Sequence, residues 1–465
     1  LSLSLCAGDW SLDRTMSLLP AAAAGYANLA AHAGLVAAVA LVATYLALPS
    51  RLLEGLHTYI HPENLGNGDG LRAAIRRPSD QCPPAPEQPH LRRRPRSGRN
   101  GYGSSGAGGR GKSVFDEASA QLLRLRLVDS HLRTRAYFPE YRGAFVSTIA
   151  AVSGLLLGRF FPAETPDSDP PPAAKAVPAL SSLLAASYVF FSLAKLSFER
   201  SATKRSERQL AACFGFLGFV AALPILSVLS PSVFDFGFRG GGLGLWGIAA
   251  SAAAGCLAAS LFVPATRAAR SLWLGTDQLR WNLEVISCGT AARVLFYLAF
   301  ITSVIAPLMW IKPVAELPAK KSRPEKFEEL RVWLLAASAA LQLVVIRPNV
   351  QTYLNEAVLS WYQRLHASKV PDLDFGRAKV FLHNYYLCLV VLQFFAAPAL
   401  GMLLLGLSQM RGNLFGGILF VGKLTDCSST AKEVALFLAW WIAFVWAIYT
   451  TATLALLRRG FLSIS

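Results

Sequence analysis

Charged side chains make up only 16% of this 465-residue chain, where a soluble domain carries about 25%. Hydrophobic residues reach 53%, so the deficit takes the form of long apolar stretches and excludes an ordinary cytosolic globule. Cysteine is sparse as well, with seven residues. They are scattered without a CxxC pair, and Cys213, Cys256 and Cys388 fall inside apolar runs, which fits buried free thiols rather than a disulfide scaffold or metal cluster. The sequence has no Asn-x-Ser/Thr sequon and no Ser-His-Asp, Cys-His or HExxH arrangement. Nor does Asp or Glu enter the core of any apolar run, where pumps and coupled transporters carry carboxylates. A non-enzymatic membrane protein, with no cofactor and no metal, is the expectation.

Nine apolar segments are long enough, or nearly so, to cross a hydrocarbon core of about 30 Å, which takes about 20 helical residues. They lie near 29–49, 143–161, 176–198, 209–230, 243–264, 291–311, 331–347, 384–407 and 434–457. Lipid offers peptide groups no hydrogen-bond partner, so each run must satisfy its own backbone by coiling. A β-barrel needs segments of about ten residues with strict alternation, which the run from Leu180 to Leu196 lacks. The expected fold is all-α, a polytopic transmembrane helical bundle of about nine spans. Eight is the alternative, since Arg159 interrupts the second run and the seventh is short.

Residues 1–15 precede the first methionine, Met16, and read as leader or untranslated-region sequence. Residues 16–61 hold the first span and a juxtamembrane piece. No Lys or Arg lies between Met16 and Arg51, so this run lacks the basic n-region of a secretory signal and reads as an uncleaved helix. Residues 62–113 are rich in Pro, Gly, Arg and Ser, cannot bury enough apolar surface to fold, and read as a disordered cytosolic loop. In 114–142, Leu122, Leu125, Val128 and Leu132 stand at helical spacing among Arg124, Arg126, Arg133 and Arg135. That spacing predicts a basic amphipathic helix on the bilayer surface or against other loops. Residues 143–465 complete the bundle.

Lys and Arg number 45 against 28 Asp and Glu, a formal charge of +17. On a soluble chain that excess points to nucleic acid; on a membrane protein it fixes orientation. With the N-terminus outside, loops 50–141, 199–208, 265–290 and 348–383 plus the tail carry roughly 29 basic residues against roughly 10 opposite. Without the long first loop the balance is roughly 14 to 10. The N-terminus is thus expected in the lumen or outside the cell and the C-terminus in the cytosol. Endoplasmic reticulum, nuclear envelope and plasma membrane all fit. The cluster Arg92–Arg96 reads as solvated linker or as a contact to anionic lipid, not as a nucleic-acid site.

Residues Gly106 to Ser113 match the P-loop pattern G-x-x-x-x-G-K-[ST], but no β-branched run precedes them to deliver such a loop. In a Gly-rich tract the pattern arises by composition, so nucleotide binding is not expected. His57 and His61, four apart with Glu63 near, suit one helix face yet make a poor metal site alone. Pro224, Pro307 and Pro398 interrupt three spans, as kinks or as broken helices exposing carbonyls to a solute. Gly154 and Gly158 form a GxxxG pair, and 249–260 is dense in Ala, Ser and Gly; both suit close helix packing. Lys195 and Arg293, near helix ends, can snorkel.

Several short blocks, kept in order along about residues 50–400, resemble the transmembrane protein 161 family, most closely its plant members. They are His61-Pro62-Glu63; Leu261-Phe262-Val263-Pro264 with Arg267; Pro307-Leu308 with Lys312-Pro313-Val314-Ala315; Arg331-Val332-Trp333-Leu334-Leu335 with Arg347-Pro348, Gln351, Tyr353 and Leu354; and Leu392-Gln393-Phe394 with Pro398. The stretch 90–111 and the region after 410 depart from the family pattern. The resemblance implies a non-enzymatic helical membrane protein tied to stress tolerance, cell survival and membrane excitability. Lys312-Pro313 and Arg347-Pro348 each set a cation and a helix breaker at an expected membrane boundary, either to anchor at headgroups or to line one vestibule for an anionic group. Gln393, at lipid depth, is expected to hydrogen-bond between helices.

Two functions follow for the whole chain. One is a structural or regulatory membrane protein whose partners are membrane lipids and other membrane proteins. The other is a solute or ion pathway through helices broken at proline.

Overall fold

The structure, a computed structural model, describes residues 30–62, 122–160, 172–230, 232–236, 244–276, 288–314, 324–365, 373–410 and 425–462. The leader at 1–15, the loop from 63 to 113 with its P-loop-like octapeptide, and Glu63 lie outside them. The chain order is α1 (Ala30–Tyr45), α2 (Leu48–Leu53), β1 (His57–Ile60), β2 (Leu123–Arg126), α3 (Asp129–Arg133), α4 (Phe138–Phe160) and α5 (Pro172–Ser197). Then come α6 (Arg205–Pro224), α7 (Leu245–Thr276), α8 (Thr290–Leu308), α9 (Pro324–Val344), α10 (Ile346–Leu365), α11 (Leu373–Tyr385), α12 (Leu387–Ser408) and α13 (Thr425–Arg458).

Among the described residues, seven helices are long and apolar enough to cross a membrane, and eight if the bent pair α9–α10 counts as one crossing. This corrects the count of nine. The described part of α1 is shorter than a span, and after it the chain turns at Ala47 in the left-handed region (φ 48°) and restarts at Leu48. The seventh run ends where α9 meets α10 at a 44° bend. Arg347-Pro348 therefore does not close a helix but opens one, with proline in the first turn, where its missing N–H costs nothing.

The basic amphipathic helix expected over 114–142 is not there in the described part. Residues 123–126 form a strand paired antiparallel with His57–Ile60, in the register His57 to Arg126 and Ile60 to Leu123. Leu123-Arg124-Leu125-Arg126 alternates with period two as well as fitting a helical spacing, and an available edge settles which period wins. His57 accordingly opens a strand and His61 directly follows it, rather than the two sharing a helix face, and no metal-holding cluster occurs among the described residues.

Small residues set the bundle's closest approach. On α6 the buried face is Ala211, Gly215, Gly218 and Ala222, while Phe216 and Leu217 on the other side are 67% and 57% exposed, facing lipid. That buried stripe packs on Gly255, Ala258 and Ala259 of α7. The GxxxG pair on α4 works likewise: Gly154 admits Val36 of α1, and Gly158 faces His32 and Pro178. At the core, α12 is buried almost throughout, between α4, α5, α9 and α13.

Helix α7 outruns the expected 243–264 by twelve residues, continuing through Pro264 to Thr276. A proline inside a helix frees the carbonyl four residues earlier. Here that carbonyl, on Ser260, accepts a hydrogen bond from the Ser197 hydroxyl at 2.8 Å, so the helix survives. Pro224 ends α6 and leads into one π-helical turn, Ile225–Leu229. Pro307 sits in the last turn of α8, and α12 runs unbroken past Pro398.

Candidate functional site

Two assemblies gather the polar residues, one at each end of the bundle. The larger is built from the segment after α5, the first turn of α6, the far end of α7, and α10 and α11. Arg267, one turn beyond Pro264, reaches the first residues of this end. Its Nη1 donates to Gln393 Oε1 at 2.5 Å and its Nη2 to the Ala202 carbonyl at 3.2 Å. Gln393 is fully buried, and its Nε2 donates to the Leu196 carbonyl at 3.4 Å. One arginine and one amide thus tie α5, α7 and α12 together.

Beside Arg267 opens a cavity of about 340 Å³. Lys204, Arg267, Arg270, Arg364 and Lys379 line it, against the carboxylates Glu207 and Glu356, with Tyr353, Phe375, His383 and Tyr386 in the wall. Arg270 pairs with Glu207 at 3.5 Å, and the Arg364 guanidinium stacks over Phe375 at 4.4 Å. Burial, and repulsion from Arg364, Lys204 and Arg270 against the pull of Glu356, hold the Lys379 ammonium below the usual lysine range.

His383 stacks on Tyr353, ring centroids 4.5 Å apart, and its Nδ1 lies 2.9 Å from the Lys379 carbonyl. A carbonyl only accepts, so the neutral ring carries its proton on Nδ1. Burial, then the charge of Lys379, pushes its pKa down to about 3. The unfolded chain takes up that proton as pH falls through about 6.5, while the folded chain does not. Stability is therefore full above pH 6.5 and declines on acidification toward 3. Detergent-solubilised protein should melt several degrees lower at pH 5 than at pH 7, and His383→Phe should flatten that slope; an unchanged slope would count against this placement.

The strand pair docks on the same end through side-chain amides. Gln351 Oε1 accepts from the His57 backbone N–H at 2.9 Å while its Nε2 donates to the His57 carbonyl at 3.1 Å, so one glutamine serves His57 as a neighbouring strand would. Asn384 repeats the device one step on, donating to the Tyr59 carbonyl and accepting from the Thr58 hydroxyl. His61, buried, leans against Trp361 at 5.8 Å. Gln351→Ala with Asn384→Ala should free the edge of β1, at about 1–3 kcal/mol for each backbone group left unpaired. Hydrogen exchange of the 57–60 amides should speed by tenfold or more; unchanged protection would contradict the docking.

The other end is aromatic. Arg331 Nη1 reaches Asp235 Oδ2 at 2.8 Å, and its guanidinium lies over Trp310 at 4.7 Å, a ring that also stacks with Phe236 at 5.2 Å. The Lys312 backbone N–H donates to the Val233 carbonyl at 2.9 Å, so Lys312 and Pro313 belong here. Arg347 belongs to the first end, where its Nη2 donates to the Glu54 carbonyl at 3.0 Å. The two cation–proline pairs therefore do not share a vestibule.

Of the residues singled out from sequence, Arg267, Tyr353 and Gln393 come together with Pro264 one turn away. Gln351 and His61 both lie at the docked strands, Gln351 bonded to His57 and His61 against Trp361, with Pro62 directly following His61. Lys204, Arg270, Glu356, Arg364, Lys379, His383 and Asn384 were not foreseen. The pattern Arg267-x-x-Arg270 was visible, but it lay beyond a proline read as the helix end. Residues 246–415 match the family described as predicted transmembrane protein 161AB. That stretch runs from α7 to just past α12 and holds both Arg267 and Gln393. No solved structure matches the chain.

Proposed function

With residues 246–415 assigning the chain to the transmembrane protein 161 family, we propose a multi-pass integral membrane protein of non-enzymatic, structural or regulatory type. It acts through lipid and through partner membrane proteins, in the stress tolerance, survival and excitability roles that the family resemblance implies. The observation that carries this reading is the close packing of α7–α9, α12 and α13, whereas a wider cavity of about 920 Å³ opens to one side between α1, α4 and α5. The two cavities walled by α7–α9, α12 and α13 have volumes of about 50 and 20 Å³ and are lined chiefly by Ala, Leu, Phe, Val and Trp. A small-molecule site takes about 300 Å³ or more. Tight contacts of Gly215, Gly218 and Gly255 support the same reading, as does α12 running unbroken past Pro398.

In this reading the basic end faces the cytosol. The described basic residues of 199–208, 265–276, 348–365 and 373–383 gather there, and so does the last turn of α13. Helix α13 runs parallel to α7, with the Tyr449 hydroxyl on the Ala258 carbonyl at 3.2 Å and Leu454 packed in the cluster of Leu272. Proteoliposomes holding the purified chain under K⁺, Na⁺ and Cl⁻ gradients should leak no faster than empty ones. A selective conductance that disappears in a Pro398→Ala variant would establish the pathway reading instead.

A further inference from the structure

We propose that the cavity between α6, α7, α10 and α11 binds a phosphate group, presented on the headgroup of an anionic phospholipid or as a free anion. Five cations face about 340 Å³ of space, against two carboxylates. One of these, Glu207, is already paired with Arg270. The local excess is three positive charges in a concave, partly apolar wall, which attracts a multivalent anion more strongly than any cation or neutral solute.

The cations are also held in place. Arg267 is fixed by Gln393 and the Ala202 carbonyl, and Arg364 by its stack on Phe375. Ordering costs are thus met before a ligand arrives. The ordinary fate of such a cluster is mutual repulsion: Arg364, Lys204 and Arg270 add to burial, the larger cause, in lowering the proton affinity of the Lys379 ammonium, against the pull of Glu356. A dianionic phosphate relieves that repulsion, and arginine offers it paired donors.

The surroundings fit a headgroup in particular. Phe375 and Leu382 border the cavity from α11 and are 53% and 42% exposed, an apolar rim beside a basic mouth. That is the arrangement of an interfacial helix on an anionic leaflet. The site rests on the membrane placement proposed above but not on the absence of conductance, so the two measurements fail separately.

The test is thermal unfolding of the full chain in detergent, with three probes: phosphatidylinositol 4-phosphate, phosphatidylcholine and inorganic phosphate. The phosphoinositide should raise the melting temperature by several degrees where phosphatidylcholine does not, and the shift should shrink as salt rises. Lys379→Gln with Arg270→Gln should remove at least nine-tenths of the apparent affinity, and Glu356→Gln, which deletes an opposing carboxylate, should raise it severalfold. An equal response to inorganic phosphate, lost in the same double variant, supports the site with a free anion as its ligand. No shift with either phosphate probe, or a shift that ignores both sets of substitutions, overturns the proposal. Because Glu356→Gln acts in the opposite direction, collapse of the double variant leaves the proposal open to refutation.

Discussion

Gly255→Leu is expected to leave almost no folded protein extractable in mild detergent. A Cβ at 255 would stand 2.9 Å from the Gly215 carbonyl oxygen and 2.9 Å from the Phe219 Cβ, so backbone as well as side chain blocks it. The facing positions cannot yield, since a Cβ on Gly215 or Gly218 would itself meet Ala259 or Ala258 at 2.7 or 2.6 Å. Helices in lipid associate through close van der Waals contact rather than hydrophobic burial, so parting α6 from α7 removes the term that holds them. Overpacking on this scale exceeds the usual 1–3 kcal/mol of a crowded core. Gly247→Leu on the same helix, where nothing lies within 4 Å, is the control and should fold normally. Monodispersity by size-exclusion chromatography reads both; equal recovery of the two variants would contradict the packing described.

The second large effect is a coupling. Gln393→Leu removes the fully buried acceptor of Arg267 Nη1, and Arg267→Met leaves the Gln393 amide oxygen without that donor. Breaking this hydrogen bond from one side costs about 1–3 kcal/mol, because the surviving group loses a partner at a buried position, though Arg267 keeps its bond to the Ala202 carbonyl. Replacing both partners with apolar groups of similar volume removes the need as well as the bond. The double variant should therefore be more stable than the sum of the two losses predicts, by about 1–3 kcal/mol. Thermal melts of the wild type, two singles and double in one detergent give the cycle; simple additivity would mean that the pair is not coupled.

Much of this architecture was legible in the sequence because lipid leaves the backbone few options. Apolar runs long enough to cross had to be helices, and α4 to α8, α12 and α13 are. Gly154, Gly158 and the small residues of 249–260 foretold close crossings for the same reason, although their partners Gly215 and Gly218 on α6 were not singled out. What the sequence hid were the places where a local signal depends on a distant partner. Pro264 reads as a stop, yet the Ser197 hydroxyl, contributed by α5, repairs the freed carbonyl and carries α7 on to Arg267 and Arg270. Leu123-Arg124-Leu125-Arg126 fits two periods, and only the edge offered by His57–Ile60, some sixty residues away, selects the strand. The basic cavity draws on five separate segments, each unremarkable alone; Gln393 was traceable because a buried amide at lipid depth demands a partner.

The whole account depends on α6 and α7 crossing the bilayer as an antiparallel pair, with the basic cavity on the cytosolic side. Cysteine at Ser232, exposed beyond the end of α6, and at Arg459, exposed just past α13, probe its two ends in a cysteine-free background. With a membrane-impermeant maleimide, Arg459→Cys should label from the cytosol in selectively permeabilised cells, and Ser232→Cys should label only from the opposite compartment. Both positions labelling from one side would contradict it.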